Sequence, residues 1–370
     1  MPSTLEDSIR NILAASGGKW VRLPSLLPAA VVLELAGESL RPRLFFAMSP
    51  DGEELCLRAD LTIAAALKYL TEPQSAAVTY LCEGTVFRAS PAHESRAIEF
   101  NQIGIEKFGP QNEINVDVEV FLAAYQAAML GASQDIAIEL SDGGLIPTLL
   151  SGANIPEPWN QYLLAAAKSP QALRRALAFA CSAKKPPPSE LGLSLIGLDD
   201  DVATSQVQKF IENGDFQPGL ARGPHEIAQR LKASTQRAIA EPLDIKFSNA
   251  AEELLAIEDF PAKSIEKIQQ IAKQLNEDLS QWAKEWTKRI SLMEQSAPKI
   301  MENTKFIVGK SGRFEYYSGF NFDIIYKGKQ DAPIASGGRY DGLIAALTKG
   351  RNNAQAMGVV IRPERILRIK

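Results

Sequence analysis

A chain of 370 residues is long enough for two or three compact units that each bury a core. Hydrophobic residues make up 45% and charged residues 23%, as in soluble globular proteins, and a formal charge of -4 excludes a dominant nucleic-acid-binding surface, which would carry a basic excess. Cys56, Cys82 and Cys181 are too few and too scattered for a disulfide framework, and with only His93 and His225 no His/Cys metal centre is expected.

The N-terminal MPSTLEDSIRNIL lacks the basic and apolar blocks of a signal peptide. No apolar run approaches membrane-spanning length, so the chain reads as cytoplasmic and not membrane-bound. Leu5, Ile9, Ile12 and Leu13 recur at helical spacing behind a Ser3 or Thr4 cap, which predicts an amphipathic helix ending at Gly17 and Gly18. A short strand follows at Trp20 to Leu23, then a helix from Ala29 to Ala36 closed near Gly37. Leu44 to Met48 and Glu54 to Arg58 read as paired strands around the turn Ser49-Pro50-Asp51-Gly52. Asp60 stands just before a helix from Ile63 to Leu70, either as its cap or with its carboxylate toward a ligand amine.

Thr79 to Gly109 reads as two strands joined by a polar loop. In the second strand, Ile98, Phe100, Gln102, Gly104, Glu106 and Phe108 share a face. Gln102 and Glu106 interrupt an apolar pattern around a strand glycine, which marks close approach by a ligand or another backbone. Four residues of strand cover roughly 13 Å, enough for an amide and a carboxylate to hold the two ends of an amino-acid-sized ligand. The alternative is a hairpin whose polar face meets water.

Asn115 to Leu130 predicts a packed helix with Asp117 and Glu119 outward, and Ile136 to Leu140 a strand. From Asp142 to Ile300 the character turns helical, at Leu163 to Ala183, Pro224 to Ala240 and Lys263 to Met293. A stiff Lys184-Lys185-Pro186-Pro187-Pro188 connector interrupts it, its lysines read as a solvated face. Leu279, Trp282, Trp286, Ile290 and Met293 form one apolar stripe. Strands return at Lys305 to Val308 and Phe314 to Tyr326, where a regular strand would point Tyr316 and Tyr317 to opposite faces. Gly337-Gly338-Arg339-Tyr340-Asp341 then lets backbone pass close to a ligand, with Asp341 as a cap for the next helix. Ala356 to Ile361 reads as a buried strand, and Pro363 opens a last helix carrying Arg365. Three segments result: 1–141 and 301–370 as two parts of one core, and 142–300 as a mainly helical region.

In order along the chain, LRADLT at Leu57 to Thr62, GTVFRA at Gly84 to Ala89, EFNQIGIEKFG at Glu99 to Gly109, EYYSGFNF at Glu315 to Phe322, GGRYDGL at Gly337 to Leu343 and MGVVIRPERI near the end resemble the core of class II aminoacyl-tRNA synthetases, in the histidyl-tRNA synthetase branch. The resemblance implies an α+β fold, an antiparallel sheet flanked by helices. It implies that Asp60, Thr62 and Gln102 hold the amino group of histidine and that Glu106 and Tyr317, with Tyr316 beside it, address the imidazole. Oxygen acceptors suit an ammonium, and a carboxylate with a phenol matches both ring nitrogens. It also implies phosphate-directed arginines at Arg88 and Arg365, and places Arg339 and Tyr340 near the pocket.

Departures from that pattern redirect the functional expectation. The catalytic arginine position falls on Gly312, and the adjacent Arg313 faces the other way on an extended strand. Loss of such a cation costs about 10²–10³ in rate at comparable electrostatic sites. Leu27 and Ala59 replace an acidic residue and a proline of the pattern, and the chain stops at Lys370 with no anticodon-binding domain. It therefore resembles the regulatory subunits of ATP phosphoribosyltransferase. This implies no catalytic residues, cofactor or metal of its own, no tRNA, and a homodimer formed around Trp20 to Leu40 within a hetero-oligomer. The implied partner is a short-form catalytic subunit, activated by this chain and feedback-inhibited through histidine. The rival expectation is a stand-alone adenylate-forming amino-acid ligase. Magnesium is expected only as the companion of a nucleotide, if one binds.

Overall fold

Two long paired strands, residues 78–87 and 99–108, are the second and third strands of a nine-stranded sheet. The computed structural model describes residues 4–72, 77–89, 97–109, 113–131, 135–167, 169–214, 223–310, 316–329 and 332–367, apart from the side chains of Ser39 and Leu367. The chain divides into a sheet-bearing unit, Met1–Leu145, Leu254–Lys273 and Asp278–Lys370, and a helical unit, Ile146–Glu253 and Gln274–Glu277. The sheet-bearing unit thus takes back much of the region between 254 and 300 that composition alone groups with the helices.

The first part of the sheet-bearing unit contains α1 (Leu5–Ala14), β1 (Lys19–Val21), β2 (Leu26–Pro28), α2 (Ala29–Ala36), β3 (Phe46–Met48), β4 (Glu54–Leu57), α3 (Thr62–Thr71), β5 (Val78–Phe87), β6 (Glu99–Phe108), α4 (Glu113–Ala128) and β7 (Ile136–Asp142). Helices α5 (Leu145–Gly152), α6 (Trp159–Ala166), α7 (Pro170–Cys181), α8 (Glu190–Leu195), α9 (Asp200–Asn213), α10 (Pro224–Ile239) and α11 (Ile245–Leu255) follow. The return comprises β8 (Glu258–Asp259), α12 (Pro261–Gln274), α13 (Ser280–Ser296), β9 (Thr304–Ile307), β10 (Phe320–Tyr326), β11 (Ala335–Arg339), α14 (Gly342–Leu347), β12 (Ala356–Ile361) and α15 (Pro363–Leu367).

The large sheet has the order β1-β5-β6-β12-β11-β10-β7-β9-β8, antiparallel except for the pairs β1 with β5 and β7 with β9. A small antiparallel sheet, β2-β4-β3, stands beside it. Register sets the site. Tyr80 pairs with Glu106, Glu106 with Gly358 and Gly358 with Gly338, so one row crosses four strands. Two of its members are glycines because nothing larger fits: a Cβ at Gly358 would overlap the Glu106 carboxylate, and one at Gly338 would lie 2.8 Å from the Tyr317 ring.

The opposite sheet face packs on α4 and α13. Phe121 meets Phe322 edge-on at 5.0 Å, and Trp286 meets Phe306 at 4.7 Å, so the tryptophan stripe is core as its spacing predicts. Trp282 and Trp286 both donate their indole N–H to Asp142 Oδ2, at 2.7 and 2.8 Å. Asp117 departs from expectation. It is fully buried, accepting from Arg289 Nη2 at 2.8 Å and Arg339 Nη2 at 2.7 Å. Its partners stand on α13 and β11, far along the chain, so local periodicity gives no sign of them.

Of the segment expected as one strand from Phe314, Phe314 and Glu315 lie outside the described residues; Tyr316 is in a turn and Tyr317 in irregular chain before β10, which frees both rings from strand alternation. Asp341 does not cap α14 with its side chain, which instead accepts from Arg339 and from the Ala356 backbone N–H at 2.9 Å. In the helical unit, α6 and α7 are separate helices, with Ser169 capping the second and Pro170 in its first turn. The connector lysine Lys185 is docked rather than solvated, 4.6 Å from the Trp159 ring centroid. Leu195, Ala203, Val207 and Ala228 form a small core in this unit.

Candidate functional site

Asp60 enters the site because β4 hands the chain to α3 at that point. Its Oδ1 accepts from the Ile63 backbone N–H at 3.2 Å, and its Oδ2 accepts from the Tyr316 hydroxyl at 3.1 Å. One oxygen thus steadies the helix start, and the residue also lines a cavity. Burial pushes the Asp60 carboxyl up from the ordinary carboxylate range, and the positive charge of Arg88 opposes the rise.

Two residues on, the Thr62 hydroxyl donates to Glu106 Oε1 at 2.6 Å, and the Tyr340 hydroxyl donates to Glu106 Oε2. Glu106 is fully buried. Desolvation raises its carboxyl to about 8; the bonds from Thr62 and Tyr340 limit the rise, and the nearby Asp60 charge adds to it. At neutral pH Glu106 is mostly a neutral acid with one proton to give, beside hydroxyls able to give or accept. Gln102, on the same strand face, is also fully buried, and neither atom of its amide reaches a hydrogen-bond partner among the described residues. Buried amides are normally satisfied, so a group left so needs an external explanation.

The cavity is lined by Asp60, Thr62, Tyr316, Tyr317, Ser336 and Arg362, with the backbone of β12. Its volume is about 10 Å³, room for one water in this closed arrangement. Both tyrosines contribute, their rings 5.0 Å apart. Burial raises the Tyr317 phenol, and the Glu106 charge adds to it. Glu106 and Tyr340 lie behind this lining, joined to it through Thr62.

The remaining sequence candidates stand elsewhere. Arg88 Nε donates to Ala59 O at 2.7 Å, and Arg365 Nη1 donates to Pro333 O at 2.7 Å. Both guanidinium groups lie over the Phe100 ring, at 5.5 and 5.8 Å from its centroid, which gathers two cations on one aromatic surface. Arg339 points to the helix-covered face, held by Asp117, Asp341 and the Glu113 carbonyl, and does not line the cavity. Gly312 and Arg313 lie outside the described residues. Ser336 and Arg362 line the cavity without having been singled out. For Arg362 the signal existed: it continues the parity of Gly358 and Val360 along β12. Among the described residues no cluster of His, Cys, Asp or Glu is arranged to hold a metal ion, and no helix is long and apolar enough to cross a membrane.

A family model described as histidyl-tRNA synthetase matches residues 2–187 and 201–366. The ATP phosphoribosyltransferase regulatory subunit of Mesorhizobium japonicum is 30% identical over 355 residues, covering 92% of this chain and 90% of its own. That of Brucella anthropi is 27% identical over 367 residues, covering 94% and 92%. A crystal structure described as an ATP phosphoribosyltransferase regulatory subunit/histidyl-tRNA synthetase from Bacillus halodurans superposes with a TM-score of 0.62 at 18% identity, over 99% of this chain and 78% of the other. At that identity the likeness speaks to fold alone.

Proposed function

Because the chain belongs to the histidyl-tRNA synthetase family and, within it, to the ATP phosphoribosyltransferase regulatory subunits, we propose that it senses histidine at the Asp60–Glu106 site and reports occupancy to a short-form catalytic subunit. The carrying observation is Gln102, buried with an unanswered amide on the strand face it shares with Glu106. Asp60, Thr62 and the Gln102 carbonyl supply acceptors for an ammonium. Glu106 and Tyr317 supply a donor and an acceptor for the two imidazole nitrogens.

The cavity must open to admit histidine. Tyr316 holds Asp60 Oδ2, the oxygen an incoming ammonium competes for, so binding exchanges a phenol for a cation on that carboxylate. Histidine then favours the arrangement in which Tyr316 has released Asp60. It shifts the assembly only through that difference in affinity between two states. Arg88 and Arg365 on Phe100 form a phosphate-directed surface outside this cavity.

The small sheet supports a homodimer. Leu26 pairs with Leu57, and Pro28 and Ala47 both pair with Leu55, placing five apolar residues on one face, three of them exposed. Such a face on a folded domain is a docking surface, and a two-fold copy of itself satisfies it. The histidine assignment is tested with Glu106→Ala in a phosphoribosyl transfer assay with the catalytic subunit. The variant is expected to stimulate transfer and to have lost reversal by histidine; full retention of histidine sensitivity contradicts the assignment.

A further inference from the structure

Within the helical unit, α6 and α10 border a groove of about 650 Å³, lined by Glu157, Gln161, Tyr162, Gln236, Arg237 and Ile239. The rings of Trp159, Tyr162 and Phe179 meet one another at 6.0 to 6.3 Å between centroids, which fixes Tyr162 in place. The Trp159 indole donates to Glu241 O at 2.9 Å and ties the start of α6 to the chain just after α10. The groove is preformed. Arg237 lies over the Tyr162 ring, its guanidinium carbon 4.6 Å from the centroid. Contact with a ring face leaves the N–H fork of a guanidinium to pair elsewhere, and among the described residues no acceptor meets it. The exposed amides of Gln161 and Gln236 each add donors and an acceptor, and Ile239 is 55% exposed.

We infer that this groove takes an acidic segment of the catalytic subunit, with an Asp or Glu side chain of that segment on Arg237. The inference rests on the regulatory reading above and adds where the partner is held, in the unit that does not contain the histidine cavity. A lone phosphate leaves most of the groove empty, and Glu157 in the same lining repels a dianion. A stretch of polypeptide fills it. Its peptide groups match the two amides, an apolar side chain covers Ile239, and a carboxylate accepts both arms of the Arg237 fork. Arginine and tyrosine are also the residue types that carry binding energy at protein interfaces, and here the tyrosine holds the arginine ready.

The test is sedimentation-velocity titration of the full chain with the short-form catalytic subunit from the same organism. Arg237→Glu is expected to weaken the complex at least about tenfold while the variant keeps its melting temperature and its affinity for histidine. Arg237→Lys, which keeps the charge and loses the planar fork, should fall between the two. Ile239→Asp, at an exposed position, adds a like charge to the groove and should weaken the complex as well. Added salt should weaken the native complex more steeply than the Arg237→Glu complex. A complex of native affinity with folded Arg237→Glu, or with Ile239→Asp where that variant does not fold, overturns the inference and leaves the regulatory reading standing. Saturable binding of pyrophosphate to the native chain that Arg237→Glu abolishes makes the groove a small-anion site and overturns the inference too. A native chain that forms no complex with the subunit overturns both.

Discussion

Replacing Glu106 with glutamine removes a titrating group from the most buried position of the site while keeping its shape. The Glu106 carboxyl, ordinarily at 4.5, is held at about 8 by desolvation, a difference worth roughly 5 kcal/mol between the two protonation states. The sign follows from which state binds the proton. Below 4.5 the folded and unfolded chains are both protonated here and the group has no effect on stability. Between 4.5 and about 8 only the unfolded chain ionises, so this group withdraws about 1.4 kcal/mol of stability per pH unit, and the loss is complete above about 8. Glutamine titrates nowhere in this range, and its amide still accepts from Thr62 and donates toward Tyr340. The free-energy difference between Glu106→Gln and the native chain should therefore grow in favour of the variant from about pH 5 to about pH 8 and then level off. Denaturation series across that range measure it. Infrared difference spectra of the two proteins give the same quantity directly, as a protonated-carboxyl band that disappears with a midpoint near pH 8. A stability difference that stays flat, with no protonated-carboxyl band at neutral pH, refutes the electrostatic description of the site.

Gly358→Ala places a methyl in the space of the Glu106 carboxylate and 2.9 Å from Ile105 O. It should cost about 1–3 kcal/mol and weaken histidine at least tenfold by calorimetry, and an unchanged affinity contradicts the crowding argument. Asp117→Ala leaves Arg289 and Arg339 without the buried carboxylate they share and should cost about 3–5 kcal/mol, read as a large fall in melting temperature; a native-like melt would mean the pair is balanced by other groups. Leu26→Asp puts a charge on the exposed face of the small sheet and should shift the chain toward monomer in sedimentation velocity, whereas an intact dimer moves the interface elsewhere.

Much of this arrangement is legible in the sequence because it is local. The helix at Ala29–Ala36 has the bounds its pattern predicts, closed by Gly37 at φ 92°, and the parity of Gln102, Gly104 and Glu106 already gives the strand face they share. What escapes are the partnerships between distant elements. Asp117 looks like a solvent-facing helix residue until β11 and α13 bring Arg339 and Arg289 to it. Arg339, adjacent to Tyr340 in sequence, turns to the other side of the sheet because neighbouring strand residues alternate. Tyr316 and Tyr317 share a cavity because the chain there is turn and irregular backbone rather than strand, which the aromatic and β-branched composition around Phe320 disguises. The helical stretch read from Lys263 to Met293 resolves into α12 and α13, parted near Asn276, whose φ is 61°, a boundary that composition rich in helix formers on both sides conceals.

The central claim, a histidine-responsive regulator, is tested most directly by titrating this chain into a short-form ATP phosphoribosyltransferase subunit from the same organism and following phosphoribosyl transfer with and without histidine. Stimulation that saturates with added chain and is reversed by histidine is the expected result. A catalytic subunit whose rate is the same with and without this chain, at every histidine concentration, contradicts it.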